Sequence, residues 1–418
     1  MTEKQVAKNT IEKLAIVVVT YKRQQLLATL FESIEKLTVA PWRIVVVDNE
    51  HSEATQGMVD DFREAVTAQW GNTIADQSGN ESRVVYAPQS DNLGGAGGFS
   101  AGVKKAYELG SEWFWVMDDD VAVMPEAIER LAKWTGSHDV IQGSRYDYDG
   151  GPFYWQYDFI VPLGIPNPIA PAAFGRPGYR VMDTLCFEGG LFRRNIVEQI
   201  GLPDPRFFIY WDDTMYGYRA SKVTNPIVVP DVILRRTREI GNWDIAGVRQ
   251  LNSTSDMNRY HIMRNRGYMA RYFMAFGDYR PLMFGLGTLL TAAKEVIRLV
   301  MVDREHAKTG LVQIAKVGGI LASCCMIRIG SRCRRSSNVA APSSDGYFLM
   351  IRPMPMRCVA WGESFAENNR KYLRFIATDY AIVFINCVLS ARFGAWGELL
   401  WRLPVRYTTM YLDRRGRR

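Results

Sequence analysis

Two short runs constrain this chain more than any other feature. LAIVVVT (14–20) and RIVVVDN (43–49) are apolar almost throughout and rich in β-branched residues. Runs of that length and composition read as strands buried on both faces, as in a parallel sheet. Helical patterns alternate with them: QQLLATLFESIEKL (24–37), TQGMVDDFREAVTAQW (55–70) and GGFSAGVKKAYELG (97–110), the last closed by glycine. VVYAP (84–88) and EWFWVMDD (112–119) add two strands, and SGNES (78–82) is a turn cluster. The alternation predicts an α/β fold with a mostly parallel sheet covered by helices on both faces.

The polar residues fall where such a sheet places its ligand crevice. The four runs lead into Thr20-Tyr21-Lys22-Arg23, Asp48-Asn49, Asp91-Asn92 with a glycine cluster, and Asp118-Asp119-Asp120. All lie at the carboxyl ends of strands, outside which open α/β sheets bind ligands. Side chains of an extended segment alternate, so Asp118 and Asp120 face one way and Asp119 the other. Two carboxylates on one side suit a hard divalent cation, Mg²⁺ or Mn²⁺, bridging to phosphate. The competing reading is a strand-end turn with helix-capping acids. In NLGGAGGFSAG (92–102), Gly94 and Gly95 would let a donor's phosphates approach a helix N-terminus, or would simply make a tight strand-to-helix turn. The spacing is not a dinucleotide fingerprint, since Ser100 stands where the third glycine belongs. Asp48 could accept from a nucleoside and Arg23 could pair with phosphate, or both could be surface residues. Farther on, FEGGLFRR (187–194) sets a glycine pair beside Glu188, and FFIYWDDTMYGYRA (207–220) sets Asp212 and Asp213 after an aromatic run. These two acids read as helix caps or as a carboxylate base beside an aromatic platform for a sugar. A metal-bound acid group plus a separate free acid is what glycosyl transfer from a nucleoside diphosphate requires.

The charge is divided along the chain. Residues 1–230 carry 21 Lys+Arg against 30 Asp+Glu, and residues 231–418 carry 30 against 14. A basic tail implies an anionic partner. Its basic residues alternate with apolar stretches such as LMFGLGTLL (282–290), AIVFINCVLS (381–390) and ELLWRL (398–403), which favours an anionic membrane surface over nucleic acid. No nucleic-acid module is visible. No stretch reaches the roughly 18 apolar residues of a spanning helix. The opening MTEKQVAKNTIEK has no apolar core of a secretory signal, and none of the six cysteines forms a CxxC pair, so reduced cytosolic thiols are expected. Residues 331–347, rich in Ser, Arg and Pro, read as a linker. FYWQYDF (153–159) reads as an acceptor-side aromatic wall or as a core strand.

Together, VVVTYKR, VVVDN, NLGGAGGF, WVMDDD, FEGGLFRR, WDD with YGYRA, and RYHIMRNRGYMARYF (259–273) resemble the family 2 glycosyltransferases of GT-A fold. Within them the chain is most similar to bacterial galactofuranosyltransferases, over residues 14–273. The resemblance implies that Thr20, Tyr21, Arg23, Asp48 and Asn92 line a nucleotide pocket. Asp118 and Asp120 would hold the metal, with Asp119 near the donor's ribose or sugar. Glu188, Gly189, Gly190 and Trp211 would border the sugars. Asp213, or second to it Asp212, would be the base of an inverting single displacement. The donor would be UDP-galactofuranose and the acceptor a polyprenyl-diphosphate-linked envelope glycan, handled in the cytoplasm at the inner face of the plasma membrane. A rhamnosyltransferase using a dTDP-sugar and a non-catalytic sugar-nucleotide binding protein are the alternatives. The expected organisation is a catalytic domain (1–240), a helical acceptor- or membrane-proximal region (241–330), the linker, and a basic aromatic extension (348–418) that would dock back on the catalytic domain, lie on the membrane or build an oligomer contact. One position departs from the pattern: Arg236 stands where the family usually places a histidine as third metal ligand. Either water completes the metal's shell, or Arg235 and Arg236 neutralise the diphosphate, or His261 folds back as a substitute.

Overall fold

The computed structural model describes residues 10–71, 82–151, 157–169, 174, 178–239, 242–245 and 249–326, with the backbone alone at 242–245, 249–250 and 317–326. Strands and helices alternate as expected: β1 (Leu14–Thr20), α1 (Gln24–Glu35), β2 (Arg43–Asp48), α2 (Glu53–Trp70), β3 (Val84–Pro88), α3 (Gly94–Glu108) and β4 (Trp113–Asp118). There follow β5 (Val121–Val123), α4 (Ala127–Thr135), β6 (Val140–Tyr146), the hairpin β7 (Tyr157–Ile160) and β8 (Ile165–Pro168), β9 (Arg180–Val181), β10 (Gly190–Arg193), α5 (Arg194–Ile200), α6 (Asp212–Ala220) and β11 (Ile227–Arg236). Strands β12 (Asn242–Ile245) and β13 (Arg249–Asn252) pair with each other, and helices α7 (Asp256–Arg264), α8 (Arg266–Ala275), α9 (Pro281–Met301) and α10 (Ala307–Met326) follow. The chain divides into two units. One is Met1–Asn242 with Asn252–Leu349, and the other is Trp243–Leu251 with Met350–Arg418. The linker and the extension beyond it lie outside the described residues.

The main sheet runs β3-β2-β1-β4-β10-β6-β11-β5, with β9 on β11. Neighbours from β3 to β4 are parallel, and β10 enters antiparallel between β4 and β6. The valine-rich runs are buried on both faces because each face has its own core. Ile16, Val18, Ile44 and Val46 pack on one side with α1, α2 and α4, while Ala15, Val17, Val45 and Val47 pack on the other with α3, α5 and α6. The strand order reverses between β1 and β4, so the crevice lies beyond Thr20 and Asp118.

The glycine cluster is not a loop before a helix. It is the first turns of α3, which begins at Gly94, three residues earlier than the sequence pattern suggests. A Cβ at Gly98 would lie 2.5 Å from Val19 Cγ1, and one at Gly102 would lie 2.4 Å from Val17 Cγ1. These glycines, four residues apart on one helix face, let α3 lie directly on β1.

Candidate active site

The register of β1 and β4 sets Val19 beside Asp118, so Thr20 reaches the acids that follow. Thr20 Oγ1 donates to Asp119 Oδ2 at 2.6 Å, and Arg23 Nη1 donates to Asp119 Oδ1 at 3.0 Å and Asp120 Oδ2 at 3.4 Å. Thr20 and Arg23, expected on the nucleotide, are thus engaged in holding Asp119. Strand β10 brings a further acid to the same edge. Gly190 pairs with Val116, Gly189 N donates to Val116 O at 2.8 Å, and Glu188 comes to the end of β4. Asp118, Asp120 and Glu188 each offer a carboxylate oxygen, and the three oxygens lie within 4.8 Å of one another. Glu188, expected at the sugars, therefore belongs to the acid group. Gly189 and Gly190 are buried and serve packing rather than an open sugar-facing surface. Gly189 has φ +92°, and its Cβ would lie 2.6 Å from Leu234. A side chain there would be strained and would clash.

Two arginines clasp Glu188. Arg145 Nη1 donates to Oε2 at 2.9 Å, and Arg236 donates through Nε and Nη2 to Oε1 at 3.1 and 2.9 Å. Arg236, at the end of β11, thus binds a carboxylate of the acid group, where a histidine would have bound a metal. Burial, then the charges of Asp120, Glu188 and Asp119, hold the Asp118 carboxyl well above the usual range, with Arg23 opposing. A tight, all-oxygen donor set with mutually repelling charges fits a hard divalent cation, its third carboxylate being Glu188. Such an ion, when bound, would neutralise charge on a leaving diphosphate. His261 is not the substitute ligand. It lies outside this group, its ring stacked on Phe208 at 4.9 Å, and burial and Arg264 lower its pKa to about 4.

The other donor-side residues divide by exposure. Tyr21 is exposed at the end of β1, and Gly95 faces open space. Asp48 is fully buried and builds its own loop. Its oxygens accept from Glu50 N (2.8 Å), Ser52 N (2.9 Å) and Tyr86 Oη (2.8 Å). Asn92 Oδ1 caps Gly94 N at 2.9 Å, and Ala96 N donates to Phe208 O at 3.0 Å. These two donors at the α3 N-terminus are therefore taken up by the protein itself.

Asp212 and Asp213 open α6. Asp213 Oδ1 accepts from Thr214 N at 2.5 Å and Thr214 Oγ1 at 3.1 Å, and Tyr157 Oη lies 2.7 Å from that hydroxyl. Thr214 has one hydroxyl proton and gives it to Asp213, so Tyr157 donates to Thr214. The Cys186 thiol also donates to Asp213, and burial pushes its pKa up to about 12, so it stays a thiol. Burial raises both carboxyls. In Asp213, Thr214, Cys186 and Arg145 counteract burial, whereas in Asp212 the charge of Asp213 adds to it, and Asp212 rises to about 8. Asp213 is therefore the more readily ionised member of the pair. Arg145 Nη1, on Glu188, also lies 3.1 Å from Cys186 Sγ. The chain Glu188–Arg145–Cys186–Asp213 therefore joins the acid group to the free base. Tyr157, from the expected aromatic wall, stands at this base, while Phe159 is in the core; residues 153–156 lie outside the described residues.

The segment before the acid pair is strained. Phe208, Tyr210 and Trp211 have φ of 64°, 66° and 71°. Such conformations cost on the order of 1–3 kcal/mol each and persist only where surroundings fix them. Here Arg264 and Asn265 of the RNR triplet (264–266) do so. Asn265 Nδ2 donates to the carbonyls of Phe207, Ile209 and Tyr210 at 2.8–3.0 Å. Arg264 Nη2 donates to those of Arg206 and Phe207 and to Asn265 Oδ1, each at 2.7 Å. Trp211 Nε1 donates to Ile262 O at 3.3 Å, which fixes the indole. Sequence reasoning quoted this triplet without assigning it a role, because its partners are carbonyls more than fifty residues away. Asn265→Ala is expected to lower kcat about tenfold and stability by about 2 kcal/mol, with UDP affinity nearly unchanged, read by kinetics, melting and calorimetry.

The family model described as Glycosyl transferase family 2 matches residues 15–201. The galactofuranosyltransferase GlfT1 of Mycolicibacterium smegmatis is 27% identical over 281 residues, 62% of this chain and 83% of that protein. GlfT1 of Mycobacterium tuberculosis H37Rv is 28% identical over 212 residues, 48% of this chain and 62% of its own length. Among solved structures, residues 1–349 of S. aureus TarS match with a TM-score of 0.44 at 14% identity, covering 73% of this chain and 80% of that one. The mostly parallel sheet, with acids at the end of β4 beside the strand-order reversal, has the GT-A arrangement that the motifs imply. Residues 15–201 are thus a family 2 glycosyltransferase domain, in a sequence that is galactofuranosyltransferase-like.

Proposed function

We propose that this glycosyltransferase moves galactofuranose from UDP-galactofuranose onto a polyprenyl-diphosphate-linked envelope glycan, with inversion. The observation that carries the reading is the proximity of two differently equipped acid sites. One is the clustered carboxylates of Asp118, Asp120 and Glu188, and the other is Asp213, held by Thr214 and Cys186 and reached through Arg145. In this reading the donor's diphosphate lies at the clustered acids, where Arg23 and a divalent cation offset its charge. Asp213 takes the proton of the acceptor hydroxyl as that oxygen attacks the anomeric carbon, and UDP departs with the bonding pair. Trp211 offers an apolar edge beside the acceptor sugar. The choice of galactofuranose rests on likeness to the GlfT1 relatives. The lipid-linked acceptor and a cytoplasmic position at the inner face of the plasma membrane are supported by the basic, apolar-interleaved sequence after residue 230.

The test is product identification with UDP- and dTDP-sugars, a lipid-linked acceptor and Mn²⁺. Turnover is expected with UDP-galactofuranose, and turnover with dTDP-rhamnose instead would replace the donor. Chelation by EDTA is expected to cut turnover about 10²-fold, restored by Mn²⁺. Undiminished turnover after chelation would remove the metal from Asp118, Asp120 and Glu188.

A further inference from the structure

Helix α9 buries polar groups while exposing an apolar face. On its inward side Thr291, Glu295 and Arg298 are buried alongside Phe284 and Leu299. Thr288 and Thr291 accept from Arg266 at 2.8 and 3.1 Å, and Glu295 takes two hydrogen bonds from Arg298 at 2.9 and 2.8 Å. Glu295 and Arg298 are 1% and 5% exposed. Its outward face is the apolar one. Leu282, Gly285, Leu289, Ala293, Val296 and Val300 are all exposed, Leu282 at 91% and Leu289 at 66%. At 3.6 residues per turn these six fall within about 80° of one another and form a stripe about 27 Å long. A surface helix of a water-soluble domain turns such a stripe toward its core. Nine of the fifteen exposed large apolar side chains among the described residues lie between Met257 and Val312. This part of the chain therefore presents a concentrated apolar surface, of the kind that marks an interaction site.

We infer that the outward face of α9 docks on an anionic lipid membrane. The charge around the stripe selects this occupant. Between residues 256 and 316 the exposed basic side chains are Arg271, Arg280, Arg304, Lys308 and Lys316, while the exposed acid is Glu305. Arg280 precedes the stripe, and Arg304 and Lys308 follow it, an arrangement that sets cations among head groups while the apolar face enters the acyl boundary. The chain's own residues 348–418 carry 12 Lys+Arg against 5 Asp+Glu, and a second copy would bring the same basic face. Both would be repelled where an anionic bilayer is attracted. No helix among the described residues is long and apolar enough to cross a membrane, so α9 would lie in the interface plane. The inference deepens the proposed reading of a lipid-linked acceptor and rests on it for its purpose: a docked α9 would keep the enzyme at the surface where that acceptor lies.

The experiment is co-sedimentation of the full chain with phosphatidylglycerol–phosphatidylcholine vesicles and with phosphatidylcholine alone. Binding is expected to the anionic vesicles and to weaken with salt. Leu289→Glu/Val296→Glu should weaken it at least tenfold, and Lys308→Glu/Lys316→Glu should abolish the preference for anionic lipid. Leu282→Glu is the second apolar variant; its side chain is so exposed that folding does not depend on it, and it should also weaken binding. Turnover of a short, water-soluble acceptor should be unchanged in all three, which separates this inference from the transferase reading. The inference is overturned if the apolar variants bind vesicles as tightly as the parent. It also falls if they instead convert a dimer to a monomer in light scattering, or release residues 350–418 to limited proteolysis.

Discussion

Asp213→Asn is expected to lower kcat about 10³-fold, while Asp212→Asn keeps activity within about tenfold. The two acids are adjacent, Asp212 buried and Asp213 half-buried, and their donors set them further apart. Asp213 receives Thr214 N, Thr214 Oγ1 and the Cys186 thiol, all of which favour its ionised form. In Asp212 burial and the charge of its neighbour outweigh its backbone hydrogen bonds, and its pKa rises to about 8. An amide at 212 therefore resembles the protonated carboxyl already present at neutral pH, whereas an amide at 213 removes the proton acceptor. The pH profile provides a second readout. Asp213 acts when ionised, so activity is lost as pH falls through its raised pKa, above the ordinary carboxylate value of about 4. Asp212 ionises as pH rises through about 8 and sets a second negative charge where a diphosphate donor must approach, so kcat/KM should decline there. Asp212→Asn should remove that alkaline decline and leave the acid limb in place. A mutant pair with the effects exchanged would make Asp212 the base.

The sequence reveals this architecture where neighbours in the sheet are also neighbours in the chain. Strands β1 to β4 can be read from β-branched runs, and the acids at their carboxyl ends mark the crevice before any contact is known. Legibility fails where a contact depends on a distant partner. Glu188 looks like an acid beside two glycines until antiparallel β10 inserts next to β4 and brings it to Asp118. Asp48 and Asn92 look like free polar groups at a ligand edge, yet both are drawn into local backbone caps. Among the α3 glycines, Gly98 and Gly102 are required by the valines of β1 beneath them, which spacing alone does not reveal, while Gly95 faces open space. Asn265 gives no sign that one amide holds three carbonyls of a strained segment.

Arg236 is the position at which the pattern breaks, and its pairing with Glu188 makes the break testable. Glu188→Gln should destabilise the protein by about 3–5 kcal/mol, because Arg145 and Arg236 lose a shared carboxylate in a site where all three side chains are less than 9% exposed. Arg236→Gln should cost less, since Arg145 still balances Glu188. The double variant should be more stable than the sum of the single changes implies, by about 1–3 kcal/mol, measured as a double-mutant cycle in denaturant melts. Activity distinguishes the two roles open to Glu188. If Glu188 served only as a counter-ion for the arginines, the double variant would recover turnover along with stability. Its oxygens lie in one group with those of Asp118 and Asp120, so stability is expected to recover while turnover does not. That outcome would make Glu188 the third carboxylate of the acid group. Arg236 would then be the cation that stands at the missing histidine's position and holds this carboxylate in place.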